Sequence, residues 1–246
     1  MGRVGTAWRS YTRAALSLVV RTWNLYHGRT RPPSGRAHLE RMIRLITEGE
    51  PGIVGLQEVP VWALERLSTW SGMTSFGAVA RRARLGVVGR RLTLLAPDVF
   101  RSAFSGQANA LLVRSSLEVV GEHRVETIKE RDVVERRICQ LVRVAISTKV
   151  VLVANFHATA HRPEQARGEI GRVGELVAGD EPAIVCGDFN APQAGIPGFS
   201  PPIPGLDQIL VRRLEFEQPP RRWDRDRRRV DGVLLSDHAP VEAVVA

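Results

Sequence analysis

Several apolar runs in this chain end on a side chain that can bind a cation, take a proton or hold a phosphate oxygen. Asn24 follows Val19-Val20-Arg21-Thr22-Trp23, and Glu58 follows Ile53-Val54-Gly55-Leu56-Gln57. His157 follows Val151-Leu152-Val153-Ala154-Asn155-Phe156, and Asp188 and Asn190 follow Ile184-Val185-Cys186-Gly187. Asp237 and His238 come after Val233-Leu234-Leu235-Ser236. Taken singly, each residue reads as a turn former or a satisfied structural group. Gathered at one edge of a sheet, such carboxylates, amides and imidazoles would make an oxygen-rich site for a hard cation. Mg²⁺ takes one or two carboxylates and keeps waters and substrate phosphate oxygens, and Mn²⁺ accepts the same donors. His161 follows His157 by four residues, but Ala158 stands where a helical zinc motif needs glutamate. His161 is therefore placed on the substrate side of the site, or is structural.

The elements that must position these residues are short and mostly extended. Strands are predicted over Ser17–Leu25, Gly52–Leu56, Ala110–Val113, Leu117–Val125, Ile138–Ile146, Val150–Phe156, Ala183–Cys186, Leu206–Val211, Val233–Leu235 and Val241–Val245. Leu39, Met42, Ile43 and Ile46 repeat at i, i+3, i+4 and i+7, one face of a helix, with Ser34 as the expected cap and Gly49 and Pro51 as the stop. A second helix is expected over Val61–Trp70. A third, from Pro163 to Ala178, turns Ile170, Val173 and Val177 to one side and stops at Gly179. Ile138, Val142, Val144 and Ile146 share a strand whose other face is also largely apolar, as in a covered sheet. Pro192–Pro204 and the arginine-rich Gln218–Arg229 read as surface loops. The fold class implied is α/β, two sheets packed face to face with helices outside. No repeat or linker divides it, so a single domain over residues 17–246 is expected, after a short extension over residues 1–16.

The 246 residues suffice for a large core, and 43% hydrophobic with 25% charged is an ordinary globular composition. No apolar run reaches the ~18 residues of a membrane span. Cys139 and Cys186 sit in apolar stretches, which argues against a disulfide scaffold. The apolar stretch Ala14–Val20 is short for a secretory signal and would take the first strand with it, so a cytoplasmic location is expected. A formal charge of +9 invites a polyanionic partner. Only Lys129 and Lys149 are lysines, however, and an arginine skew of this kind also arises from base composition alone.

Read in order, Thr22-Trp23-Asn24-Leu25, Leu56-Gln57-Glu58-Val59, Asn155-Phe156-His157, Gly187-Asp188-Phe189-Asn190, Leu206-Asp207-Gln208-Ile209-Leu210 and Ser236-Asp237-His238-Ala239-Pro240-Val241 span nearly the whole chain. This series resembles the endonuclease/exonuclease/phosphatase superfamily, the DNase I-like proteins. The resemblance implies a four-layer sandwich of two packed mixed β-sheets flanked by helices. It implies a divalent cation, Mg²⁺ or Mn²⁺, held by Glu58 with Asn24 beside it and Asp237 nearby. Asp188 and Asn190 would handle the attacking water and the scissile phosphate, His157 a phosphoryl oxygen or the leaving group, and His238 would be the second catalytic histidine, oriented by Asp207. Gly106-Gln107-Ala108-Asn109 resembles a weaker block of the family and makes Asn109 a minor substrate-side candidate.

The implied activity is hydrolysis of phosphodiester bonds. A nuclease acting on DNA or RNA is favoured by Arg221, Arg222, Arg225, Arg227, Arg228 and Arg229, although Asp224 and Asp226 interrupt that cluster. The alternatives are a phosphatase or phospholipase acting on small phosphoesters or lipid head groups, and a catalytically silent binding module on the same fold. Tyr26-His27 and Gln57-Glu58-Val59-Pro60 depart from the abasic-site endonuclease pattern. A monomer acting on a phosphoester substrate is expected.

Overall fold

The computed structural model describes residues 17–83, 105–132 and 135–246. The expected extension over residues 1–16 lies outside them. The first sheet is built from β1 (Leu18–Asn24), β3 (Ile53–Val59), β4 (Thr74–Arg81), β5 (Gln107–Val113), β11 (Phe216–Arg222) and β14 (Val241–Val245), in the order β11-β14-β1-β3-β5-β4. The second holds β6 (Val119–Asp132), β7 (Glu135–Ile146), β8 (Lys149–His157), β9 (Ala183–Asp188) and β10 (Asp207–Arg212), ordered β10-β9-β8-β7-β6. A small third sheet joins β12 (Arg229–Val230), β13 (Val233–Leu235) and β2 (Thr30–Arg31). Both large sheets are mixed: β1 runs parallel to β3 and β8 parallel to β9, while their other pairings are antiparallel.

The period-two side-chain alternation of strands separates the layers. In β1, Leu18 and Val20 enter the core between the sheets, with Val113, Val142, Val153 and Ile184. Trp23, on the opposite face, packs beneath α1 (Leu39–Thr47) with Met42, Ile43 and Ile46. The far side of the second sheet buries Phe156, Val185 and Leu210 against Ile170 and Val173 of α3 (Pro163–Leu176). The result is the expected four-layer order of helix, sheet, sheet and helix. No helix among the described residues is long and apolar enough to cross a membrane.

Polar groups also join the two sheets. Asn155 of β8 is fully buried; its Oδ1 accepts from Gln57 Nε2 of β3 at 2.7 Å. Its Nδ2 donates to the carbonyls of Leu56 at 3.2 Å and Ala110 at 3.1 Å and to Gln140 Oε1 at 3.1 Å. Gln140 in turn donates to the carbonyl of Phe76 in β4 at 2.8 Å. A misregistered sheet would leave these amides unpaired in a dry interface, which fixes how one sheet lies on the other.

Some sequence expectations need correction. The α1 N-cap position is His38, and Ser34 Oγ instead bonds His38 Nε2 at 2.8 Å. Val61–Trp70 is not one helix: residues 61–66 form a 3₁₀ segment and only α2 (Leu67–Ser71) is α-helical. Gln218–Arg229 begins as the edge strand β11, whose register shifts accommodate Pro219 and Pro220 where a central strand would exclude them. The segment 192–204 is irregular, as expected. The β4 edge strand was not foreseen, because Gly77 and small residues weaken its alternation.

Candidate active site

The two parallel pairs carry β1, β3, β8 and β9 to the same edge of the sandwich, where the register sets Asn24 beside Gln57 and His157 beside Asp188. β10 returns antiparallel and sets Asp207 against Asp188 from the other side. At the end of β3 a register shift between Leu56 and Val59 and a left-handed Glu58, φ 52°, turn the Glu58 carboxylate out of the strand. Gly187 precedes Asp188 with φ 148°; a Cβ there would stand 2.1 Å from the Phe156 carbonyl oxygen, so the close approach of β8 to β9 requires glycine.

Asn24, Glu58, His157, His161, Asp188, Asn190, Asp237 and His238 line one cavity of about 390 Å³, together with Tyr26 and an apolar wall that includes Pro192 and Leu206. Asn24 Nδ2 donates to Asp188 Oδ2 at 2.9 Å and lies 3.3 Å from Glu58 Oε1. His157 Nε2 stands 3.5 Å from Asp188 Oδ2 and 4.0 Å from Glu58 Oε1. Asp207 is behind the cavity, its Oδ2 2.9 Å from His238 Nδ1. Asn190 is left-handed, φ 48°, with its backbone N–H on Asp188 Oδ1 and its Nδ2 on the Ala158 carbonyl. Asp237 stands at the mouth, 3.1 Å from Arg31 Nη2.

Asn109 does not reach the cavity. It is buried in β5 opposite Ala78, with Oδ1 unpartnered. The residue of that block that touches the site is Gln107, whose Nε2 is 3.2 Å from His157 Nδ1. An amide N–H at Nδ1 leaves the imidazole proton on Nε2, facing the carboxylates. His27 lies 3.3 Å from Glu58 Oε2 and has no hydrogen-bond partner for Nδ1. Neither Gln107 nor Arg228, described below, follows a strand in the pattern that marks the other site residues.

The electrostatics are those of buried carboxylates short of positive charge. Burial, then the charges of Asp188 and Asp237, push Glu58 up to about 7 against the Asn24 hydrogen bond and His238. Burial and Asp207 push Asp188 up to about 6. Burial holds His157 well below its ordinary value, and His27 down to about 3, so both are neutral. For His238, burial favours the neutral ring, but the hydrogen bond and charge of Asp207 outweigh it and raise the group to about 10. A bound divalent cation would relieve the charge deficit at Glu58 and Asp188. The carboxylate oxygens of Glu58 and Asp188 suit a hard cation, and ligand atoms of Asp188, Asp207 and His238, the last a ring nitrogen, lie within 4.8 Å of one another.

Sequence and structure agree on a class. The sequence model of the Endonuclease/Exonuclease/phosphatase family matches residues 22–246, and the chain belongs to that family. Members of the family are generally hydrolases of phosphoester bonds. An endonuclease/exonuclease/phosphatase from Beutenbergia cavernae superposes with a TM-score of 0.70 at 16% identity, covering 93% of this chain and 71% of that one. A humanized D. rerio TDP2 superposes with a TM-score of 0.67 at 18% identity, covering 94% and 99%. TDP2 from Caenorhabditis elegans gives 0.66 at 15% identity, covering 94% and 74%. At these identities the likeness is one of fold. No curated protein matches the sequence.

Proposed function

We propose that the protein hydrolyses phosphodiester bonds with a divalent cation, Mg²⁺ or Mn²⁺, and that nucleic acid is its substrate class. The single observation that carries the chemistry is the convergence of Glu58, Asp188, His157 and the Asp207–His238 pair on one cavity. Glu58 and Asn24 would hold the cation, with Asp237 near it; when bound, it neutralises charge developing on the phosphoryl and leaving oxygens. Asp188, held near neutrality, is suited to take the proton of an attacking water, and Asn190 to orient that water. His238, kept protonated by Asp207, is suited to donate to a phosphoryl oxygen rather than to act as the base. His157, neutral with its proton on Nε2, would donate a second hydrogen bond. His161 lines the cavity and would face the substrate.

The retained residues speak against a silent binding module. The arginine cluster, by contrast, lends less to the nuclease reading than its composition suggests. Arg221 and Arg227 lie against Glu242, Arg222 bonds the Pro204 carbonyl, Arg229 lies near Asp226, and Arg228 is buried. A small phosphodiester or a lipid head group is therefore the second reading. The test is hydrolysis of plasmid DNA, RNA and bis-p-nitrophenyl phosphate with Mg²⁺ or Mn²⁺, beside His238→Ala. Nicking lost in the variant supports the nuclease. Cleavage of the small diester alone supports the second reading, and no cleavage of any substrate with either metal sinks both.

A further inference from the structure

The arginine-rich segment that resembles a polyanion-binding loop contains a side chain turned inward, against the loop that carries His238. Arg228 ends a short 3₁₀ turn, is 7% exposed, and belongs to none of the motifs above. Its Nη1 stands 3.2 Å from the Leu235 carbonyl oxygen and 3.1 Å from those of Ser236 and His238. Three carbonyls converge on one point because the chain leaves β13 through a left-handed Ser236, φ 58°. Their dipoles make a negative focus that a guanidinium satisfies and that no neutral side chain could match in donors and charge.

The same loop is tied down elsewhere. Trp23 Nε1 donates to the His238 carbonyl at 2.9 Å, Ser236 Oγ donates to the Asn24 carbonyl at 2.7 Å, and the His238 N–H donates to Ser236 Oγ at 3.1 Å. The backbone of His238 is thus gripped while its ring meets Asp207. We infer that Arg228 is a positioning residue, whose bonds to the three carbonyls hold the His238 backbone where Nδ1 meets Asp207. The inference rests on His238 being the working histidine of the proposed site. Arg228 touches no reacting atom, and its effect reaches the chemistry only through His238.

The test uses the full chain with Arg228→Gln, Arg228→Lys and Asp207→Asn, alone and combined. Arg228→Gln should lower kcat about 10- to 100-fold, with KM and Mn²⁺ affinity within about twofold, because a misplaced hydrogen-bonding group is lost in the transition state alone. Arg228→Lys, which keeps the charge but not the fork, should fall between. In the Asp207→Asn background the Arg228→Gln loss should shrink to about twofold, since both act through one ring. Additive losses, or unchanged kcat in a folded Arg228→Gln, would overturn the inference. A readout independent of turnover is the downfield Nδ1–H proton resonance of His238, expected in the wild type and weakened in Arg228→Gln. Were the wild type inactive on every phosphodiester, the proposed function would fall while this resonance still decided the role of Arg228. An unchanged resonance would refute it.

Discussion

Cation binding should be gated by the proton on Glu58, with the sign set by burial. Its carboxyl is held at about 7 by burial and by Asp188 and Asp237, so at pH 6 only about one molecule in ten presents a carboxylate. A cation binds only the ionised form, and binding must release the proton. The apparent Mn²⁺ dissociation constant should therefore weaken about tenfold from pH 8 to pH 6, roughly 1.4 kcal/mol. Asp188, held at about 6, would add about another factor of two at the lower pH if it shares the ion. The stability sign is the reverse for the metal-free protein. A raised carboxyl stabilises the fold fully below its unfolded value of 4.5 and loses that contribution as pH rises to about 7, a difference of roughly 3 kcal/mol. Added Mn²⁺ should thus raise Tm more at pH 8 than at pH 5.5. Calorimetric titration in buffers of different ionisation enthalpy gives both the constant and the protons released. Glu58→Gln should flatten the pH dependence and weaken binding roughly 10- to 100-fold, the worth of a charged contact. A dissociation constant that is flat from pH 6 to 8 in the wild type, with no proton released, would refute the reasoning.

Other perturbations test other parts of the structure. Asp207→Asn removes the charge that keeps His238 up at about 10, so the alkaline limb of the pH–rate profile should move several units down and kcat should drop about 100-fold or more; an unmoved limb would disprove the pairing. Asn155→Leu leaves the Leu56 and Ala110 carbonyls and Gln140 Oε1 without this donor inside a dry interface, and urea denaturation should show a loss of about 3–5 kcal/mol. Gln107→Leu leaves His157 Nδ1 without its partner; kcat should fall about tenfold while Mn²⁺ affinity is unchanged, as measured side by side with the wild type. Gly187→Ala forces a Cβ against the Phe156 carbonyl and should cost more than about 3 kcal/mol in thermal or urea unfolding, whereas tolerance within 1 kcal/mol would contradict the backbone geometry.

What was legible in the sequence is local. Apolar runs marked β1, β7, β8 and β14, the i, i+3, i+4 spacing marked α1, and the polar residues at or just past the end of each run marked Asn24, Glu58, His157, Asp188 and His238. Each of those depends on the side chains of one run and on the direction its strand points. The resemblance carried by the motifs then placed the runs in one fold without saying how they touch. Tertiary structure alone decided that Asn24 bonds Asp188 across 164 residues, and that Asn155, counted among the motif residues, ties the sheets instead of facing the cavity. It also chose Gln107 over Asn109 as the neighbour of His157, since Asn109 lies two residues further into β5, opposite Ala78. The arginines between 221 and 229 show the limit most plainly. Composition registers their charge, but a charge on a flexible side chain faces solvent or an internal carbonyl according to what the rest of the chain brings within reach. For Arg228 that was the turn beneath His238, assembled from residues whose own pairing with β1 and β2 no local pattern encodes.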